Sequence, residues 1–214
     1  MPKTSPAAAA RILAERDPAI ARLVEACGLP VLRAPHDTHF EALVRSILYQ
    51  QLAGKAAAAI HGRLIAAVDG VVEPERIIAL PVDTMRAAGL SGNKAASIHD
   101  LAAKVLDGTV VLDSRRLARE SDEELITRLS SVRGIGRWTA EMFLMFQLRR
   151  LDVWPVGDLG VRRGYGLAHQ VPMPSPKELE ALGDPYRPYR SIAAWYCWRA
   201  TEVYAGASTS AVTA

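Results

Sequence analysis

The amino-acid sequence predicts an all-α protein, and three observations carry that prediction. Apolar residues recur at helical spacing through most of the chain, as in Phe40, Leu43, Val44, Ile47 and Leu48. Helix starts carry capping signatures: Ser121 and Glu124 stand three apart, and so do Ser175 and Glu178. Only residues 109–112 look extended, and nothing else alternates with period two. The 214 residues, 50% of them apolar, suffice for one good core or two small lobes.

Taken in order, Asp17-Pro18 reads as N-cap and first helical residue, with Ile20, Leu23, Val24 and Cys27 on one face and Gly28 as the stop. His36 and His39 have a spacing that metal sites use, but no third ligand is near. They precede the helix of residues 40–48, which ends in Gln50-Gln51-Leu52 before Gly54. Two glutamines between apolar helices need hydrogen-bond partners wherever they are buried. A helix follows through Ile60, Leu64, Ile65 and Val68, and another opens at Glu73-Pro74 and closes at Leu80-Pro81. A Gly-rich turn, residues 89–94, offers backbone donors with Lys94 beside them and leads into a helix through Ile98, Leu101 and Val105.

The stretch SDEELITRLSSVRGIGRWTAEMFLMFQLRRLDVWPVGDLGVRRGYG is the most informative. A helix starting at Ser121 carries Leu125, Ile126, Leu129 and Val132 on one face. Gly134-Ile135-Gly136 breaks it, with two residues able to take positive φ. A second helix is expected over residues 137–147, apolar nearly all round and therefore buried. A tight turn at the start of a helix presents backbone N–H groups that favour an anion, and Arg133 and Arg137 flank it. Pro155 and Gly157 end a short connection, and Asp158 stands before the next helical run, in the place of an N-cap. Arg162 and Arg163 lie on that helix, placed to meet phosphate or solvent. The last helix carries Trp195, Tyr196 and Trp198.

Charge agrees with a polyanionic partner. The net charge is +3 and the pI about 9.0. Residues 128–199 hold 11 Lys/Arg against 6 Asp/Glu, a balance of +5, which leaves 15 against 17, or −2, for the remainder. Without an apolar run of membrane length or a signal-peptide pattern, the chain is expected in the cytoplasm. Cys27 and Cys197, the only cysteines, read as buried free thiols.

VRGIGRWTAEMF, followed about twenty residues later by VGDLGVRR, resembles the helix-hairpin-helix (HhH-GPD) DNA glycosylase superfamily, and within it the DNA-3-methyladenine glycosylase II, or alkylated-base, branch. The resemblance runs over residues 40–198. It implies a two-lobed helical fold: residues 40–150 contain the hairpin, 11–39 and 151–204 form the second lobe, and 205–214 are a flexible tail. It implies that Asp158 is catalytic, assisting glycosidic-bond cleavage by stabilising an oxocarbenium ion, activating water, or both. Trp138 stands where strand-nicking relatives carry a Schiff-base lysine, which implies a monofunctional enzyme. Trp138 and Trp198 would wall the base pocket, Trp198 facing the aspartate across it. Met142 and Leu159 stand where well-known relatives have tyrosines, which implies a wider or less aromatic pocket.

The resemblance further implies that Gln51 or Leu52 fills the gap left by an extruded nucleotide, with Gln50 beside them. Arg133, Gly134, Gly136, Arg137 and Thr139 of the hairpin would contact DNA, with Arg162. No organic cofactor is expected, the resemblance leaves room for a structural Na+ or K+ at hairpin carbonyls near Gly134, and two cysteines exclude the four-cysteine iron–sulfur cluster of some relatives. The implied partner is double-stranded DNA with damaged bases, 3-methyladenine and 7-methylguanine first, and the implied state a monomer. Two alternatives stand beside this reading: a bifunctional glycosylase/lyase for oxidised bases, and a non-catalytic helix-hairpin-helix DNA-binding module.

Overall fold

The computed structural model describes residues 4–32 and 34–205, and among them finds thirteen α-helices, one π-helix, one 3-10 turn and no strand. The chain divides into two compact units, one of Pro35–Gln147 and one of Met1–Ala34 with Leu148–Ala214. Residues 109–112, expected to be extended, form no strand. Thr109 N–H bonds to the Asp107 carboxylate and Val110 N–H returns to Lys104 O, which turns the chain and buries Val110.

The discontinuous unit begins with α1 (Pro6–Arg16) and α2 (Pro18–Cys27). Spacing alone passes over α1, because its alanines carry little periodicity. Ser5 caps it, accepting from Ala8 N–H, and Ala9, Ala10 and Leu13 are buried. Asp17 caps α2 through Ala19 N–H, and Gly28 ends it at φ 73°.

The continuous unit holds α3 (His39–Tyr49), α4 (Gly54–Ala67), α5 (Pro74–Ala79), α6 (Val82–Ala87), α7 (Gly92–Leu106), α8 (Ser114–Leu117), α9 (Asp122–Ser130), α10 (Arg137–Met142) and the π-helix Phe143–Gln147. Phe40, Leu43, Val44, Ile47 and Leu48 are the buried face of α3, as their spacing predicts. A capping box closes its start, Thr38 with Glu41, and another closes that of α9, Ser121 with Glu124. Helix α7 packs against α3, α5 and α6 and brings Ile98, Leu101 and Ala102 into the core.

The discontinuous unit resumes with α11 (Leu159–His169), α12 (Pro176–Leu182), the 3-10 turn Asp184–Tyr186 and α13 (Arg190–Val203). Helices α11 and α13 cross in backbone contact at Gly164, where a Cβ would lie 1.7 Å from Cys197 O. Helix α2 packs on both, and Tyr196 OH, from the core of α13, donates to Gly28 O at 3.0 Å. From residue 206 onward the expected flexible tail lies outside the described residues. Among the described residues no helix is long and apolar enough to cross a membrane.

Candidate active site

The hairpin joins α9 to α10. Gly134 takes φ 76°, but Gly136 is extended (φ −91°, ψ 173°), so only one of the two glycines uses the positive φ open to both. A Cβ on Gly134 would lie 2.6 Å from Ser97 Oγ of α7, whereas one on Gly136 would meet open space. Gly136 is the N-cap of α10 and offers no side-chain cap, so the first N–H groups of that helix are left to an outside acceptor.

The expected second helix of residues 137–147 changes character at Phe143 and finishes as a π-helix. At its end the Gln147 amide donates to Asp37 O at 2.9 Å and meets His39 Nδ1 at 3.2 Å. The element is not buried all round either: Trp138 and Phe146 are 49% and 45% exposed, and Met142 between them is half-buried. Thr139 is buried.

Arg137 does not project its charge from the turn. It pairs with Glu123 and, at 3.1 Å, with Glu141, which raises its pKa. Arg133 instead donates to the neutral Asn93 Oδ1 at 3.1 Å, while its own N–H bonds to the Asp100 carboxylate. Among the carbonyls near the turn, Ser131 O accepts from the Lys104 ammonium, Val132 O from Ile135 N–H and Gly134 O from Gln50.

The turn after α3 lies in the same unit. Gln50 donates its amide to Gly134 O at 2.9 Å and reaches Thr139 Oγ1 at 3.4 Å. Gln51 is exposed and stands at φ 55°, and Leu52 is 38% exposed. Lys94, beside the Gly-rich turn of residues 89–94, points inward and donates to Leu48 O and Gln50 O, both at 2.7 Å. Burial holds its ammonium below the ordinary lysine pKa.

Asp158 is the N-cap of α11, its Oδ1 accepting from Val161 N–H at 2.8 Å. The same oxygen accepts from Trp198 Nε1 at 2.9 Å. Trp198, expected to face the aspartate across a pocket, therefore also holds it directly. Gly160 makes this possible, because a Cβ there would lie 2.8 Å from the indole Cδ1 and 3.1 Å from Asp158 Oδ1. The carboxylate is 9% exposed and the neighbouring Leu159 side chain 62%. Arg162, expected to meet DNA, is half-buried and gives its Nε to Pro174 O at 2.8 Å, leaving Arg163 as the exposed one of the pair.

Other candidates resolve into structure. His39 bonds to Ser114 and Gln147 and packs edge-on against Phe143, and no cluster of three metal-ligating groups exists among the described residues. Burial pushes the Cys197 thiol up, out of the reactive range, and Cys27, only half-buried, donates to Leu23 O. Gly160 and the inward bonds of Lys94 escape a reading of the sequence, because they depend on what touches them across the fold.

A hairpin whose second helix begins uncapped, followed by a buried aspartate at the head of the next long helix, defines a class, and the chain matches the family model of the HhH-GPD superfamily base excision DNA repair proteins over residues 44–188. The chain belongs to that superfamily. Within it, the chain falls in the DNA-3-methyladenine glycosylase branch. It is 38% identical to DNA-3-methyladenine glycosylase 1 of Schizosaccharomyces pombe, over 77% of this chain and 73% of that protein. The crystal structure of a Bacillus halodurans DNA-3-methyladenine glycosidase superposes with a TM-score of 0.83 at 34% identity, covering 92% and 90% of the two chains. The S. pombe 3-methyladenine DNA glycosylase in complex with abasic DNA superposes with a TM-score of 0.78 at 36% identity, covering 91% and 96%.

Proposed function

We propose that this protein is a monofunctional DNA glycosylase that hydrolyses the N-glycosidic bond of alkylated bases in double-stranded DNA, the first step of base excision repair. The observation that carries the reading is the buried Asp158 carboxylate, oriented by Val161 N–H and the Trp198 indole at the head of α11. A carboxylate held by two donors on one oxygen is fixed in direction, and preorganised charge of this kind stabilises positive charge growing on the sugar. As the C1′–N bond breaks, its electrons leave with the base, water adds to C1′, and Asp158 can accept the water's proton.

A methylated purine carrying positive charge is already a good leaving group, so little base-specific hydrogen bonding is needed, and 3-methyladenine and 7-methylguanine are the first candidate substrates. Trp198, bonded to Asp158, offers an indole face to a cationic base, with the exposed Leu159 as a less aromatic neighbour. The uncapped N–H groups of α10 grip a phosphate, with Arg133 beside them, and Gln51 or Leu52 fills the duplex after extrusion. Trp138 in the lysine's place leaves no Schiff-base nucleophile there, so the product is an intact abasic strand. The protein acts as a monomer at the nucleoid.

The test is release of methylpurine from methylated duplex DNA by wild type and Asp158→Asn. Wild type is expected to release base with no nick until alkali is added, and the variant to lose about 100-fold or more of the rate while binding DNA as before. Release at the wild-type rate by Asp158→Asn would overturn the assignment.

A further inference from the structure

We infer that Lys94 is a positioning residue for base extrusion, clamping the Gln51–Leu52 turn in the conformation that raises it and tying it to the hairpin. The inference rests on the proposed glycosylase reading and deepens it.

It starts from the backbone at Gln51, one of four non-glycine residues at positive φ among the described residues. Gln51 follows the C-cap residue Gln50 of α3 and takes φ 55°. That position after a helix is ordinarily glycine's, since a side chain at positive φ is strained. Strain of this sort persists only where the surroundings over-determine it, and it concentrates at functional sites. Here the surroundings are identifiable. The Lys94 ammonium bonds to Leu48 O and Gln50 O at 2.7 Å each, bridging the last turn of α3 and the residue before the strained one. It also places a positive charge at the C-terminal end of α3, where the helix dipole favours one.

The clamp belongs to a larger fixture. One face of α7 carries Asn93, Lys94, Ser97 and Asp100, and all four engage the two elements proposed to touch DNA. Asn93 and Asp100 hold Arg133, Ser97 lies under Gly134, and Lys94 holds the turn. Gln50 closes the circuit with its amide on Gly134 O. The turn that enters the duplex is thereby set at a constant offset from the turn that grips the backbone. Without the ammonium, the Gln51 backbone can relax and the filling side chain loses its register.

Extrusion is easiest from a weak pair, so a plug defect should depend on pairing, which a folding or chemical defect should not. The experiment compares wild type with Lys94→Met in single-turnover release of 7-methylguanine placed opposite cytosine and opposite thymine. The expected loss is about tenfold or more opposite cytosine and under about threefold opposite thymine, with affinity for undamaged duplex within about twofold. Equal losses in the two duplexes, no loss in either, or a matching collapse of undamaged-duplex affinity would overturn the inference. If thermal unfolding shows Lys94→Met unfolded, Lys94→Gln, which keeps an N–H donor, takes its place in the same comparison. Absence of release by wild type from both duplexes would instead sink the glycosylase reading.

Discussion

Asp158 and Trp198 lie forty positions apart, and one hydrogen bond of 2.9 Å joins them. The resemblance singles out both residues, but not the bond, nor the glycine that permits it. Gly160 in the run GDLG reads simply as a small residue in a first helical turn; only the folded chain puts an indole where its Cβ would be. Gly160→Ala is therefore expected to push Trp198 off the carboxylate and slow base release on the order of tenfold to a hundredfold. DNA affinity should hold, because the gripping turn is elsewhere in the chain. Parallel activity and binding titrations check this, and an unaltered rate would mean the indole bond does not matter. Arg137 teaches the converse lesson. Its position beside the turn suggests a phosphate contact, yet Glu123, fourteen residues earlier, and Glu141 take its charge.

At the scale of elements, helix starts were legible wherever a cap and an apolar stripe coincide, as at Asp17, Ser121 and Ser175. They were illegible where one signal was missing. Helix α1 has its cap but an alanine-rich body, and the short α6 and α8 offer too few turns for periodicity to show. The π-helix was out of reach for another reason, since nothing in the spacing of residues 143–147 sets a π-turn apart from an α-turn. For the hairpin the decisive element is the contact between its turn and α7. Gly134→Ala combines a positive φ with a Cβ 2.6 Å from Ser97 Oγ. The variant is expected to lose about 1–3 kcal/mol of stability and to bind undamaged duplex about tenfold more weakly. Denaturant unfolding and a binding titration read both, and wild-type affinity would remove the turn from the interface.

For the whole molecule, the absence of period-two patterning made the all-α fold legible, and the structural matches bear it out. The electrostatic footprint was only half legible. Of the 11 basic residues in 128–199, Arg128, Arg137, Arg187, Arg190 and Arg199 pair with carboxylates, so the local excess overstates the charge on offer to DNA. A long-range polar tie also sets how the protein meets acid. Asp17, besides capping α2, accepts from His169 at 3.0 Å and Tyr186 at 2.6 Å, drawing together residues 152 and 169 positions away. Burial by itself would raise this carboxylate, but the hydrogen bonds from His169, Tyr186 and Ala19 hold it down to about 2, from an ordinary 3.8. Because the folded value is the lower one, the stabilisation is complete above about pH 4 and is lost as pH falls through about 2. Asp17→Asn should accordingly lower Tm near neutrality, with the gap to wild type narrowing between about pH 4 and pH 2. A gap that stays constant down to about pH 2 would rule this linkage out.

The backbone crossing at Gly164 has a bearing on how this protein can change over time. Cys197 O leaves no room for any side chain there, and the next residue along α13 is Trp198. Whatever lesion a descendant is selected to remove, that position is closed to it, and with it the alignment of indole and carboxylate. Leu159, largely in solvent, carries no such restriction. The crossing thus constrains the proposed reaction centre, while the proposed pocket wall at Leu159 stays free to vary.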